Sequence, residues 1–383
     1  MTTTNDYLSK QNPHPRDAHI HFDEGPHKYT IEGINGVTAD TEFTSVTTFI
    51  HQHFEHFDAK KVIAGMMRNQ KKWNDPVANA KYYGKTAEEI EQMWADAGKD
   101  ASTKGTAMHH QIECFYNTPP AAETAETAET AVAPATTACA PSSHHQSSVA
   151  TAVGGRNPHG TPSGLSNEVP PLGGGTPPGL SNEVPPLGGG TPSGLSNEVP
   201  PLGGGTPSGL SNEVPPLGGG TPPEFEYFLN FNQEYVAGED ATLRPYRTEW
   251  TVFHEEAQIA GSIDMVYEVV EPESAATAAV GGLAPLAIYD WKRCREITKT
   301  NRAGKFATHP AIEHLPDTNF WHYALQLNTY KYILQTKYGK TITDLYLIVL
   351  HPDAQNYQRV KLPDLQTEVA ELFEERIRQN KKP

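Results

Sequence analysis

The chain has 383 residues, 37 % of them hydrophobic, and a net charge of −16 at neutral pH, with enough apolar sequence for one large or two ordinary cores. Three cysteines without paired spacing, a polar start and the lack of any long apolar run argue against a disulfide-stapled secreted domain or a membrane span, and for an intracellular protein. The acidity speaks against a wholly basic binding surface, but seven glutamates against Arg156 between Asn117 and Pro222 account for −6 of it, so a local basic groove for nucleic acid stays compatible.

Residues 1–16, polar and carrying Pro13 and Pro15, read as a flexible terminus. The next stretch, 17–117, opens with a hairpin expected over His27–Val37, two β-prone arms about Gly33 and Gly36. Ser45 caps a helix whose Val46, Phe49, Ile50 and Phe54 recur at core spacing. His51, His53 and His56 lack the i, i+4 arrangement of a helical metal pair. A second helix follows Asp58. A third starts at the capping box Thr86-Ala87-Glu88-Glu89 and is expected to stop at Gly98. A fourth covers 103–116. Met108, Ile112 and Phe115 would face the core, and His109 and Glu113, four apart, share a neighbouring face. Gly105 would let a strand or a phosphate approach the backbone closely; a buried, hydrogen-bonded histidine is the plainer reading of His109.

From 118 to 222 the composition changes to Ala/Glu/Thr triplets, a Ser/His/Ala stretch and four copies of a fifteen-residue unit resembling Thr-Pro-Ser-Gly-Leu-Ser-Asn-Glu-Val-Pro-Pro-Leu-Gly-Gly-Gly over 161–220. Two or three aliphatic side chains per unit do not offset the entropy of ordering it, so this region reads as a disordered low-complexity insert. Residues 223–383 resume the folded pattern. A helix around Phe225–Phe231 and a strand over Tyr246–Phe253 come first. A strand pair follows, running from Ala260 to Lys292, with Asp264 on one arm and Asp290 and Lys292 on the other. The period of two places Asp290 and Lys292 on one strand face. A strip with Arg293, Arg295 and Lys299 suits nucleic-acid phosphates, although a solvated loop has the same composition. A helix over Asn319–Leu334, a strand at Leu345–Leu350 and an amphipathic closing helix complete the chain.

Four separated signals stand in one order: Gly105-Thr106-x-x-His109-x-x-x-Glu113, Thr248-Glu249-Trp250, Gly261-x-x-Asp264 with Asp290-x-Lys292, and Gln326-x-x-x-Tyr330. Together they resemble the RecB-like branch of the PD-(D/E)XK nuclease superfamily, over 103–116 and 246–334. The resemblance implies an α/β fold with a restriction-endonuclease-like core, a mixed central β-sheet flanked by helices. It also implies hydrolysis of DNA phosphodiester bonds with magnesium or manganese, as by an exonuclease of recombination, repair or viral DNA processing. On the same basis His109, Asp264 and Asp290 would hold the metal together with the Trp291 carbonyl, with Glu249 as an auxiliary ligand. Lys292 would activate the attacking water, and Gln326 and Tyr330 would contact the DNA backbone or brace the site. Oxygen-rich ligation suits either cation, and the imidazole favours manganese. Some RecB-like nucleases hold an iron-sulfur cluster on four cysteines; with Cys114, Cys139 and Cys294 alone, none is expected. No phosphate loop of helicase type is present, so an unwinding motor would be a separate partner. The alternatives are a nuclease fold that binds nucleic acid without cutting it, and an adaptor that works through its repeats.

Overall fold

The computed structural model describes residues 5–23, 25–119, 221–270 and 284–381. The repeats and Cys139 lie outside them. The described residues form an α/β structure around a six-stranded mixed sheet. Its strands are β3 (Thr44–Ser45), β4 (Leu243–His254), β5 (Ile259–Val269), β6 (Leu286–Lys292), β7 (Ile342–Val349) and β8 (Gln358–Lys361). The order β3-β5-β6-β7-β8 has β4 added against β5. β5 runs antiparallel to β4 and to β6, β6 and β7 are parallel, and β8 returns antiparallel. The strands alternate between two cores, as a sheet covered on both faces must. Leu286 and Ile288 of β6 join the cluster packed by α2 (Val46–His51), α7 (Asn319–Lys337) and α8 (Gln366–Asn380). Ala287, Tyr289 and Trp291 join the cluster packed by α5 (Ala87–Asn117) and α6 (Pro223–Asn232).

Two sequence expectations change. The third and fourth helices are one: α5 runs unbroken for 31 residues through Gly98 and Gly105. Glycine weakens a helix without forbidding it, and the stretch between the two glycines is reinforced by a Lys104–Asp100 ion pair one turn apart and a Thr103 Oγ1 bond to the Lys99 carbonyl. The hairpin near the N-terminus also moves. The arm Lys28–Ile31 (β2) pairs backwards with Ile20–Asp23 (β1), not forwards across Gly33 and Gly36, whose positive φ values shape a turn that leads on to β3 on another sheet.

The N-terminal residues 5–16 are not loose either. Tyr7–Gln11 forms helix α1, with Leu8 buried and its backbone N–H donating to Asn117 Oδ1. Arg16 is ion-paired to Glu255 at 2.6 Å and stacks on Phe253. These tethers link segments more than a hundred residues apart, which composition alone does not reveal.

Helices α3 (Ala59–Arg68) and α4 (Gln70–Trp73) pack on the N-terminal half of α5 around a small separate cluster of Ile63, Tyr82 and Ile90. The helix N-termini after Ser45, Asp58 and Thr86 are capped. Thr48, Lys61 and Glu89 donate their backbone N–H groups to Ser45, Asp58 and Thr86, and Glu89 returns a bond to the Thr86 N–H. No helix of the described residues is long and apolar enough to cross a membrane.

Candidate metal centre

Asp264 belongs to β5 and Asp290 to β6. The register that pairs Met265 with Tyr289 sets these two carboxylates opposite each other one step further on. The Trp291 backbone N–H donates to Asp264 Oδ2 at 3.0 Å, locking one carboxylate to the neighbouring strand. His109 enters from α5. Its Nε2 lies 2.9 Å from the Trp291 carbonyl oxygen and its Nδ1 3.5 Å from Asp264 Oδ2. A carbonyl only accepts, so Nε2 carries the proton and donates it. Burial and the Lys292 ammonium push the imidazole down to about 4, so the ring is neutral and Nδ1 presents a lone pair to a carboxylate oxygen. Two acceptors facing each other across 3.5 Å are a seat for a cation.

Glu249 is the third member. It occupies the register position across from Asp264, between the Thr248↔Met265 and Trp250↔Ile263 pairs, with a φ of 42° inside a strand. A non-glycine residue held there costs about 1–3 kcal/mol, which the neighbouring packing must offset. The twist keeps Glu249 beside Asp264, and Ser262 Oγ donates to its Oε2 at 2.8 Å. Donor atoms of His109, Glu249 and Asp264 all lie within 4.8 Å of one another.

Electrostatic crowding is severe. Burial and the Asp264 charge push the Glu249 carboxyl up to about 8, with Glu113 and Asp290 adding to it. Burial followed by Asp264 pushes Asp290 up to about 7, against the pull of Lys292. Burial raises Asp264 as well, partly offset by Lys292 and the Trp291 N–H. Lys292 reaches Asp290 Oδ2 at 2.6 Å, and its ammonium lies 4.8 Å from the centre of the Tyr323 ring. Burial disfavours that ammonium, but Asp290 and Asp264 outweigh it and hold the lysine above its ordinary range, so it stays charged.

The sequence-derived set is therefore brought together with one rearrangement. The close donor group is His109, Glu249 and Asp264; Asp290 lies outside it with its Oδ2 2.6 Å from the Lys292 ammonium, and the Trp291 carbonyl accepts from His109 Nε2. Gly261 has a steric reason. A Cβ there would stand 2.9 Å from the Tyr330 ring and hydroxyl and 3.0 Å from Val46, so the close approach of α7 to β5 requires glycine. Gln326 hydrogen-bonds the Tyr330 phenol, which burial raises well above its usual value; Tyr330 is thus a buried brace. Glu113 lies near enough to add to the Glu249 shift. Gly105 has open space around it.

The basic strip is largely spent on acids from distant segments. Arg293 pairs with Glu224 at 2.6 Å and both are mostly buried; Arg295 pairs with Asp353, and Lys305 with Glu55 at 2.8 Å. Lys299 sits 4.6 Å from the Phe320 ring centre. Residues that sequence reasoning passed over include Ser262, which fixes Glu249, and Tyr323, under Lys292. For Tyr323 a signal existed, since it lies one helical turn before Gln326.

No protein-family model matches the chain, and no curated protein matches it. A solved structure titled "Crystal structure of SSO0001" is similar at 12 % sequence identity, with a TM-score of 0.18. The match covers 42 % of this chain and spans only 59 % of the length of that one, a likeness too slight to carry an argument about fold or activity.

Proposed function

We propose that this chain is a metal-dependent DNA nuclease of the RecB-like PD-(D/E)XK type, with a restriction-endonuclease-like core, acting as an exonuclease on phosphodiester bonds. One observation carries the reading: His109, Glu249, Asp264, Asp290 and Lys292, drawn from α5, β4, β5 and β6, converge as a neutral imidazole, crowded carboxylates and a permanent ammonium. The mixed nitrogen and oxygen donors of His109, Glu249 and Asp264 fit manganese or magnesium. Such a cation supplies a nucleophile near neutral pH and neutralises charge growing on the phosphate.

The residues of the chain do the rest. Asp290 fixes the Lys292 ammonium, and the Tyr323 ring limits its movement. A lysine kept protonated cannot serve as a base. It donates hydrogen bonds to a non-bridging phosphate oxygen or orients the incoming water, and as a preplaced charge it stabilises the pentacovalent transition state. Tyr330 and Gln326 hold α7 against β5, keeping Asp264 in place.

The test is incubation of purified protein with linear and circular DNA in manganese, magnesium or chelator, beside Asp290→Ala. Cleavage that vanishes in chelator and in the variant is the expected result, and loss of linear DNA alone marks an exonuclease. DNA left intact by folded, DNA-binding protein would replace this reading with that of an inactive nuclease fold.

A further inference from the structure

The segment 68–85, which includes α4 and the turns after it, departs from the acidic character of the chain. It carries Arg68, Lys71, Lys72, Lys81 and Lys85 against the single acid Asp75. The Asp75 carboxylate is engaged by the backbone N–H groups of Val77 and Ala78. Among the described residues none of the five cations has an acidic partner; Lys81 stands 5.3 Å from the Tyr82 ring centre. Aromatic residues alternate with the lysines, in Lys72-Trp73 and Lys81-Tyr82-Tyr83. Tyr82 is buried and anchored, its hydroxyl accepting from Trp94 Nε1 at 3.0 Å. Tyr83 beside it is 51 % exposed and has no ring contact among the described residues.

The location matters as much as the composition. Trp94, the anchor, and His109 share the rigid helix α5, fifteen residues apart. At 1.5 Å and 100° per residue this places them about 22 Å apart along the axis and about 60° apart around it, on one side of the helix. Gly105 lies between them, about 20° off the Trp94 direction, and a Cβ built there meets nothing within 4 Å. That side of α5 also carries the buried Ile90, Gly98, Met108 and Ile112, so the basic segment and the metal centre are joined through the packed face of one helix rather than across open surface.

We propose that this segment is a contact site for an unpaired DNA strand. Tyr83 stacks on an exposed base, and Lys71, Lys72, Lys81 and Lys85 meet the phosphates. The site selects single-stranded ends or overhangs. A ring offered to solvent needs a base face that a duplex keeps covered, whereas scattered lysines alone would take any polyanion. This inference rests on the nucleic-acid reading of the metal centre.

The experiment measures binding of the full chain, in chelator, to a 20-nucleotide oligothymidylate, a blunt 20-base-pair duplex and polyglutamate at several salt concentrations. Wild type, Tyr83→Ala and Lys71→Glu/Lys72→Glu/Lys81→Glu are compared, with melting curves to confirm folding. Wild type should prefer the oligothymidylate. Tyr83→Ala should weaken that complex about 5- to 100-fold with little effect on the others. The triple variant should reduce the slope of log affinity against log salt by about 2. Variants that bind like wild type, or equal losses toward duplex and polyglutamate, overturn the assignment. Cleavage by wild type in manganese is scored separately. No cleavage with the binding pattern intact sinks the nuclease reading and keeps the single-strand site; cleavage with unresponsive variants does the reverse.

Discussion

Asp264 and Asp290 are held by strands whose two faces are both packed, with Ile263, Val266, Ile288 and Trp291 at 2 % exposure or less around them. Lys71 and Lys72 are held by the short helix α4 and Tyr83 by the turns after it, around a cluster whose buried members are Ile63, Tyr82 and Ile90. The difference follows from the work each region would do. Crowded carboxylates keep their geometry against mutual repulsion only if sheet register and two cores over-determine their positions. A surface that meets a strand through phosphates and one stacked base tolerates looser support, because long-range charge does not require fixed atoms. The region with the thinner core should therefore open first.

The largest effect that separates the two regions is catalytic. Asp264→Asn removes a donor of the close trio, and Lys292→Ala removes only the fixed ammonium. Each should lower manganese-dependent cleavage by at least about 10²- to 10³-fold. Manganese should raise the melting temperature of wild type and of Lys292→Ala, but not of Asp264→Asn, because only Asp264 belongs to the donor group. A melting rise that survives in Asp264→Asn would move the cation elsewhere.

Next in size is a pair of core truncations. Ile288→Ala and Ile90→Ala remove the same atoms from fully buried positions, one in the sheet and one under the basic segment. The first should cost about 2–5 kcal/mol of global stability. The second should appear chiefly as faster proteolysis and amide exchange within residues 59–97, with the main melting transition little changed. Equal melting losses in both variants would show that the two regions unfold as one unit.

Much of the candidate site could be read from sequence because its parts are local patterns. The strand period put Asp290 and Lys292 on one face, and His109 stood at a helix position four residues from Glu113; the close approach expected at Gly105 is made at Gly261 instead. What escaped depends on contacts between distant segments. That Glu249 replaces Asp290 in the close group follows from a positive φ and from Lys292 claiming Asp290. Glu224, Asp353 and Glu55 neutralise the strip after β6 from positions 58 to 250 residues away in the chain, so the strip looked more available than it is. The basic segment 68–85 is not marked by its own sequence for a related reason. Its significance lies in the unbroken α5, and Gly98 suggested a helix end that the fold does not make.

A smaller effect concerns acid. His254 at the end of β4 is 4 % exposed, and its Nδ1 accepts the Ala257 backbone N–H at 3.3 Å. Burial and then Lys337 push it down to about 4, against the opposing pull of Glu256 and Glu255. A histidine whose folded value lies below its ordinary 6.5 stabilises fully above that value, and the contribution is lost as pH falls from about 6.5 towards 4, because the unfolded chain takes the proton first. The loss should reach about 1–3 kcal/mol by pH 4. Residues 59–104 contain no histidine, so acid should loosen the sheet region while leaving exchange in the basic segment unchanged. His254→Asn should flatten the wild-type decline in melting temperature between pH 7 and pH 5; a decline of unchanged slope would assign it to other groups.

The smallest effect isolates how the basic segment is attached. Tyr82→Phe keeps the ring that packs on Trp94, with centroids 6.1 Å apart, and deletes only the hydroxyl that accepts from Trp94 Nε1. The indole is half-buried, so water replaces part of the lost bond and the cost should be near 0.5–1 kcal/mol. Such a change is too small to move global melting, yet it should raise amide exchange several-fold in residues 70–85 and nowhere in β5 or β6. If the same variant also weakens oligothymidylate binding while Tyr83 and the lysines are intact, the Tyr82–Trp94 bond sets the position of the single-strand site on α5. If exchange rises and binding holds, the electrostatic surface tolerates a moving support, as the contrast between the two regions predicts.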